Sequence, residues 1–514
     1  MNQKLQFFEK INTIYPLLGI ISLGVILRII ITPFEIPLSL DAIDYFVYSI
    51  VMNREGFFPS EYLTVNIGWS SILSIFMYEN YNFSMLEMMT IDRIVGIIFS
   101  SITIIPIYLL SSIFFNKKTS ILCASLFIFE PKIIENSVLG LTEPIFIFFT
   151  TFAIYFAMKG GKLFFISFIF AAISAFIRFE GFLLIVPLII SFVLKKSDSK
   201  KEIIYFLVGI TIFFIIIFLL NEIAYHEEQS NITNSLFSIT NFYTNAIENN
   251  ENQEYTKIYG NTFLDRSYQF LYKGITGFIK FLGWIMIPLL AIFILPGLLF
   301  LKKTNLKNLI MIFSFMVFLS CSSFYAYGRE ISDWRFILPI IPILILVAGK
   351  LLQFLDNKYE KSSYFVFTVI ILISVVTLIV NYEDSQYDSE IYDATKYLVS
   401  YSNGVNSYDG NKFVRTADLD NQWPEIPNTD ERKKMTANIS KIPTSNLSTI
   451  YEIIEEGKKN NLTHLVITEK EKNPNLKKLI YEEPPDYLEK IYDSKDFNAK
   501  NIILIFKIKY ENLN

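Results

Sequence analysis

Two carboxylates three residues apart open the argument. They stand in Pro37-Leu38-Ser39-Leu40-Asp41-Ala42-Ile43-Asp44-Tyr45-Phe46-Val47-Tyr48, directly after the first long apolar run. On a short helix that spacing puts Asp41 and Asp44 on one face. An aspartate at the rim of a membrane cavity can take a proton from an acceptor hydroxyl or bind a cation. The plainer role is a solvated cap, with Asp41 as N-cap of a following helix. Further along, Glu143-Pro144 opens an apolar run, where a carboxylate is costly unless paired or facing water. Arg178-Phe179-Glu180-Gly181 is a tight turn carrying opposite charges. In Tyr327-Gly328-Arg329-Glu330-Ile331-Ser332-Asp333-Trp334-Arg335, two arginines bracket two acids. Arginine suits forked contact with phosphate, so Arg178, Arg329 and Arg335 suit an anion-handling cavity. The plainer role for Arg28, Arg54, Arg93 and these three is interfacial anchoring by snorkelling. Glu130, Lys132 and Glu135 are expected to be solvated.

Several chemistries lack their residues. The chain has two cysteines, Cys123 and Cys321, both in apolar runs, and two histidines, His226 and His464, far apart. A disulfide framework, a cysteine zinc site and a Ser-His-Asp triad are therefore disfavoured. No cofactor is called for; a divalent cation at the two aspartates stays open, although no complete ligand set is visible. The net charge of -4 gives no reason to expect nucleic acid.

The elements that must position these groups are membrane spans. Of the residues, 52% are hydrophobic and only 18% charged. Apolar runs fall at about 13–33, 91–115, 119–137, 142–158, 163–178, 181–194, 203–222, 281–301, 308–327, 336–355 and 364–380. A span needs about 20 apolar residues, and backbone in lipid must bond internally, so each run is expected to be a helix. About eleven spans result. The first run shows no small-residue cleavage site and reads as a retained helix.

Alternate connections hold Lys4 and Lys10; Lys117 and Lys118; Lys159 and Lys162; Lys195, Lys196, Lys200 and Lys201; Lys302, Lys303 and Lys307; and Lys350, Lys358 and Lys361. By the positive-inside rule these face the cytoplasm. The N-terminus is then cytoplasmic, and loops 34–90 and 223–280 and the polar segment 381–514 are extracytoplasmic. Asn-X-Ser/Thr patterns at Asn82, Asn231, Asn438, Asn446 and Asn461 all fall on that outer side. The aromatic stretch from Pro59 to Trp69 suits an interface belt, lying along the membrane surface beside a lipid entrance.

The chain thus divides at about 380/381. Residues 1–380 are expected to be an all-α polytopic membrane domain. Residues 381–514 are expected to be a small extracytoplasmic α/β domain: a helix near 391–401, a helix at 448–460 leading into strand His464–Thr468, and a final strand at 502–510.

With those motifs in place, residues 1–380 resemble the GT-C superfamily of lipid-linked glycosyltransferases. The closest likeness is to the protein mannosyltransferase, aminoarabinose transferase and RgtA/B/C/D-like group. Four features carry it: Asp44-X-X-X-Tyr48 after the first span, Thr142-Glu143-Pro144-Ile145-Phe146, Arg178 to Gly181, and Arg335-Phe336-Ile337-Leu338-Pro339 with Pro342. Tyr45 follows Asp44 where the family usually has glutamate. The Trp-Trp-Asp-Tyr-Gly signature of oligosaccharyltransferase catalytic subunits is absent, which argues against en bloc oligosaccharide transfer.

The resemblance implies a GT-C fold and an inverting hexosyltransferase with a polyprenyl- or dolichyl-phosphate-linked sugar donor. Transfer would go to a protein, lipid or glycan acceptor at the outer membrane face. It further implies Asp44 as general base with Asp41 as second acid, Arg178, Arg329 and Arg335 on the donor phosphate, and Glu143 as a polar-site candidate; Glu180, Glu330, Asp333 and Trp69 are further polar-site candidates from the residues themselves. The competing readings are a transporter or flippase of lipid-linked sugars and a non-catalytic membrane assembly protein. No convincing internal repeat supports the transporter. Sugar, acceptor, lipid length and oligomeric state are not legible.

Overall fold

The computed structural model describes residues 2–39, 41–56, 58, 66–77, 83–195, 200–224, 263–301, 305–359, 362–381, 383–401, 416–417, 419–420, 423, 449–459, 462–471 and 473–513. The surface stretch 59–65, most of the loop 223–280 and all five Asn-X-Ser/Thr asparagines lie outside the described residues. The chain divides into two compact units. The first holds Met1–Thr32, Tyr48–Met77 and Asp92–Leu378; the second holds Pro33–Val47, Tyr78–Ile91 and Ile379–Asn514.

The first unit is helical. The chain runs through α1 (Asn2–Ile31), α2 (Asp41–Glu55, beginning in the second unit), α3 (Ile67–Ser74), α4 (Met85–Ile102), α5 (Ile104–Ser111), α6 (Lys117–Ile128), α7 (Pro131–Ser137) and α8 (Glu143–Lys159). It continues through α9 (Phe164–Ile177), α10 (Ile185–Lys195), α11 (Lys200–Ala224), α12 (Phe263–Met286), α13 (Leu289–Leu298), α14 (Leu306–Gly328), α15 (Ile341–Lys358) and α16 (Ser362–Asn381). Every apolar run becomes helix. Among the described residues, six helices are long and apolar enough to cross a membrane, or seven if one bent pair counts as a single span. This is a multi-pass membrane protein.

Two of the eleven expected runs are not single straight helices. The run 119–137 breaks at Phe129-Glu130, with Pro131 restarting the chain as α7, since proline is tolerated at a helix's first turn. The run 281–301 is not one straight span: α12 begins well before it, and the pair α12/α13 bends by 110°. Pro288 stands at that bend, and a proline lacks the N–H needed to continue the ladder. Side by side, α8, α9 and α11 pack together, as do α12 with α14 and α13 with α15. Phenylalanines fill the α8–α9 seam: Phe152 and Phe156 stack on Phe170 with centroids 5.0 and 5.6 Å away.

The second unit contains α17 (Glu383–Tyr401), α18 (Ile450–Lys459), α19 (Pro474–Lys478) and strands β1 (His464–Thr468), β2 (Leu488–Asp493) and β3 (Ile503–Ile508). The sheet is antiparallel in the order β1-β3-β2, with His464 opposite Lys507 and Lys490 opposite Phe506. Alternation assigns the faces. Leu465, Ile467, Leu504 and Phe506 pack with Ile453 and Ile454 of α18. Val466, Ile503 and Ile505 pack with Ala394 and Leu398 of α17. Helices α17 and α18 and strands β1 and β3 stand where the pattern expects them; the short α19 and the edge strand β2 are additions, the hydrophobic alternation of β2 hidden by charged residues at exposed positions. Glu390 ties α17 to the sheet, accepting from Lys500 N (2.9 Å), Asn501 N (2.8 Å) and Asn501 Nδ2 (2.7 Å).

Candidate functional site

In the second unit, Asp41 and Asp44 occupy the first turn of α2. Asp41 is the first residue of α2, and acids in a first turn are favoured by the helix dipole. Asp41 is exposed and Asp44 half-buried, while Tyr45, Phe46 and Val47 are buried. The helix therefore turns its apolar side inward and leaves the acid-bearing side with access.

In the first unit, three sequence-distant motifs meet on one guanidinium. Arg178 follows the last residue of α9 in an extended conformation. Its Nη1 donates to Glu143 Oε1 at 2.5 Å and to Thr142 Oγ1 at 2.9 Å. Its Nη2 and Nε donate to Glu180 at 2.7 and 3.2 Å. Phe146 and Phe336 place their rings 5.8 and 5.9 Å from the guanidinium carbon. The expected Arg178–Glu180 ion pair is present, and Glu143 joins it. All three charged side chains are largely buried, at 8%, 4% and 15% exposure. Glu143 Oε2 has no hydrogen-bond partner among the described residues. A buried acceptor of that kind is unfavourable unless something supplies a donor.

The local sequence explains the cluster. Thr142 precedes α8 without capping it, so its hydroxyl accepts from Arg178. Gly181 lets the short 3-10 helix Phe179–Leu184 fold back on α9; a Cβ there would stand 2.4 Å from Ala175 N. Gly68 does the same for α3, where a Cβ would meet Phe176 O at 2.5 Å. Trp69 is consequently 0% exposed and sits in the core, not in an interface belt. Close packing of α3 on the end of α9 overrides the aromatic-belt preference.

The remaining candidates form separate pairs. Asp333 caps the 3-10 helix Trp334–Ile340, accepting from Arg335 N at 2.9 Å, and its carboxylate pairs with the Arg335 side chain. Glu330 pairs with Lys273 at 2.6 Å. Arg329 lies 5.7 Å over the Tyr325 ring. Pro339 lies within the 3-10 helix and Pro342 in the first turn of α15, so the span opens loosely as the two prolines demand.

Several buried polar residues escaped the sequence reading. Arg28 does not snorkel. It is 0% exposed and donates to Gly24 O (3.0 Å), Ile128 O (2.9 Å) and Ser100 Oγ (3.0 Å). Arg93 is 4% exposed and donates to Val138 O at 3.2 Å. Glu130 is not solvated but 1% exposed, at the break between α6 and α7. Lys132 and Glu135 form a 2.6 Å pair, with the ammonium 5.2 Å from the Trp334 ring centroid and 6.0 Å from that of Trp284. Asp92, unremarked in sequence, is 0% exposed and its carboxylate lacks a hydrogen-bond partner among the described residues. A charge inside an apolar run was the available signal. Among the described residues, no group of three or more His, Cys, Asp or Glu could hold a metal ion.

Comparison with known proteins bears on residues and fold separately. A family model described as dolichyl-phosphate-mannose-protein mannosyltransferase matches residues 87–220. No curated protein matches the chain in sequence. Among solved structures, the apo oligosaccharyltransferase of Archaeoglobus fulgidus is similar in fold, with a TM-score of 0.51 and 12% identity over 90% of this chain and 70% of that one. AglB of the same organism, in complex with an inhibitory peptide and a dolichol-phosphate, has a TM-score of 0.49 and 12% identity over 88% and 69%. ArnT of Cupriavidus metallidurans bound to undecaprenyl phosphate has a TM-score of 0.43 and 10% identity over 95% and 97%.

Proposed function

We propose that this chain, whose fold is of the GT-C membrane glycosyltransferase type, moves a hexosyl group from a polyprenyl- or dolichyl-phosphate donor to an acceptor hydroxyl at the extracytoplasmic face. The observation that carries this is the match of residues 87–220 to the dolichyl-phosphate-mannose-protein mannosyltransferase model. That segment holds Glu143, Arg178 and Glu180, the three charged groups of the buried cluster.

Asp44 is the general base: it takes the proton of the acceptor hydroxyl as that oxygen attacks the anomeric carbon. The bond from that carbon to the phosphate oxygen breaks, and polyprenyl phosphate leaves with the electron pair. One displacement inverts the anomeric carbon. Asp41, in the same turn, is the second acid. Arg329 and Arg335 stabilise the charge that grows on the leaving phosphate. Arg178, also a phosphate candidate by resemblance, commits four of its five N–H donors to Thr142, Glu143 and Glu180. Those commitments favour a positioning role, holding Glu143 with one oxygen ready for a sugar hydroxyl. The acceptor is a protein, lipid or glycan. The lysine distribution supports a cytoplasmic N-terminus and an extracytoplasmic C-terminal segment.

The test is transfer in vitro from a panel of polyprenyl-phosphate sugars, comparing the intact chain with Asp44→Asn and Asp41→Asn. Loss of transfer in Asp44→Asn with donor binding retained is expected. Full activity in both variants would remove the base assignment.

A further inference from the structure

The second unit groups the acid-bearing turn with the C-terminal segment, and the contacts inside that unit run through three short stretches. Thr416 Oγ1 donates to Leu38 O at 3.1 Å, just before α2 begins. Leu38 N points to Met89 Sδ at 3.3 Å. Trp423 stacks on Phe46, with centroids 6.4 Å apart and planes 24° from parallel, and its Nε1 donates to Phe83 O at 2.8 Å. Between Thr416 and Trp423, Asp420 is gripped by α17: Tyr392 Oη donates to it at 3.0 Å, and Lys396 Nζ lies 2.9 Å away. Ile36, Tyr392 and Ala417 pack in one buried cluster.

Helix geometry gives these contacts a direction. At about 100° per residue, Phe46 lies about 200° around α2 from Asp44, on the opposite side. A flat ring stacked on Phe46 therefore fixes the rotation of the first turn without covering the acid. The bond to Leu38 O fixes where that turn starts. Asp41 is exposed and Asp44 half-buried, so the acids themselves have less packing to hold them than the residues behind them.

We propose that Trp423 and Thr416 are positioning residues: Thr416 and Trp423, with Asp420 held by α17 between them, clamp the first turn of α2 from behind and aim Asp44. The C-terminal segment then belongs to the catalytic apparatus. The inference rests on the reading of Asp44 as the base. Misplacing a reacting group by about 1 Å can cost on the order of a hundredfold in rate.

The test reads geometry and rate independently. In a full-length chain with Cys123 and Cys321 replaced by alanine, Asp41→Cys carries a nitroxide label. Label mobility is compared with and without Trp423→Ala or Trp423→Phe. Transfer kinetics from a dolichyl- or undecaprenyl-phosphate sugar are measured for the Trp423 variants without the label. Trp423→Ala is expected to raise label mobility and lower kcat by about tenfold to a hundredfold, with KM for the donor changed less than about twofold. Trp423→Phe, which keeps the stacking, is expected to restore most of both. If Trp423→Ala does not accumulate, Thr416→Val carries the test, since it removes one hydrogen bond at nearly constant volume. Should Asp44→Asn be inactive while the clamp variants change neither mobility nor kcat, the positioning inference is overturned and the base assignment survives. Should Asp44→Asn stay active, the base assignment falls, whatever the label reports of the clamp.

Discussion

Arg178 Nη1 stands 2.5 Å from Glu143 Oε1, joining two motifs 35 positions apart in the chain. With Glu180 on the other side of the guanidinium, one buried cation faces two buried carboxylates. Such an arrangement is stable only while the cation stays. Taking charges out of water costs several kcal/mol each, and their mutual attraction offsets this only in good geometry with further hydrogen bonds.

Arg178→Met is therefore expected to destabilise the protein by about 3–5 kcal/mol, because it leaves two like charges buried together. Thermal unfolding in detergent measures it. Glu143→Gln keeps an acceptor for Nη1 and is expected to cost less. Equal melting temperatures for Arg178→Met and the parent would remove the cluster from the account of stability.

Gly181→Ala tests the turn that aims Glu180. The new methyl would stand 2.4 Å from the Ala175 nitrogen and the Ser174 carbonyl carbon, both backbone atoms that cannot yield cheaply. A loss of about 1–3 kcal/mol is expected, as for overpacking elsewhere. Transfer activity should fall with it, because the Glu180–Arg178 fork would be displaced. A variant with the parent's stability and rate would contradict the close approach.

Arg335→Lys probes the proposed phosphate contact. Lysine keeps the charge but loses the planar fork. Because the contact strengthens as charge grows on the leaving phosphate, the expected result is a fall of roughly tenfold in kcat, the size of one charged hydrogen bond, with KM for the lipid donor less affected. Steady-state kinetics at varied donor concentration decide it, and an unchanged kcat would move the phosphate elsewhere.

The sheet of the second unit should weaken in acid. Burial, with the Lys507 charge nearby, pushes the His464 imidazole down to about 4. Its folded pKa lies below the unfolded value near 6.5, so the unfolded chain takes up a proton that the folded strand refuses. Stability from this residue is intact above about pH 6.5 and is lost as pH falls toward 4. Amide exchange protection across His464–Thr468 is expected to drop about tenfold or more over that window after correction for intrinsic rates. His464→Gln should flatten the profile.

The helices, their apolar composition and two of the three strands were legible because each is a local pattern: long apolar runs, or alternation over five or six residues. The Arg178–Glu180 pair was legible for the same reason, the partners being two residues apart. Other expectations failed where long-range packing decided. Trp69 has the composition of an interface residue, yet Gly68 lets α3 pack closely on α9, and the indole is buried. Arg28 has the stem of a snorkelling residue, yet a carbonyl one hundred positions away at Ile128 accepts from it.

The sequence by itself determined that the chain crosses a membrane several times, where its acids and arginines fall along the chain, and that a polar α/β segment follows the spans. Hydrophobic runs and charge are properties of neighbouring residues, so no fold is needed to read them. Only the tertiary structure decided that Glu143, Arg178 and Phe336 share one cluster, and that Thr416 and Trp423 hold the turn bearing Asp44. Partners separated by tens to hundreds of residues leave no local periodicity, and only chain packing brings them within hydrogen-bond or stacking distance.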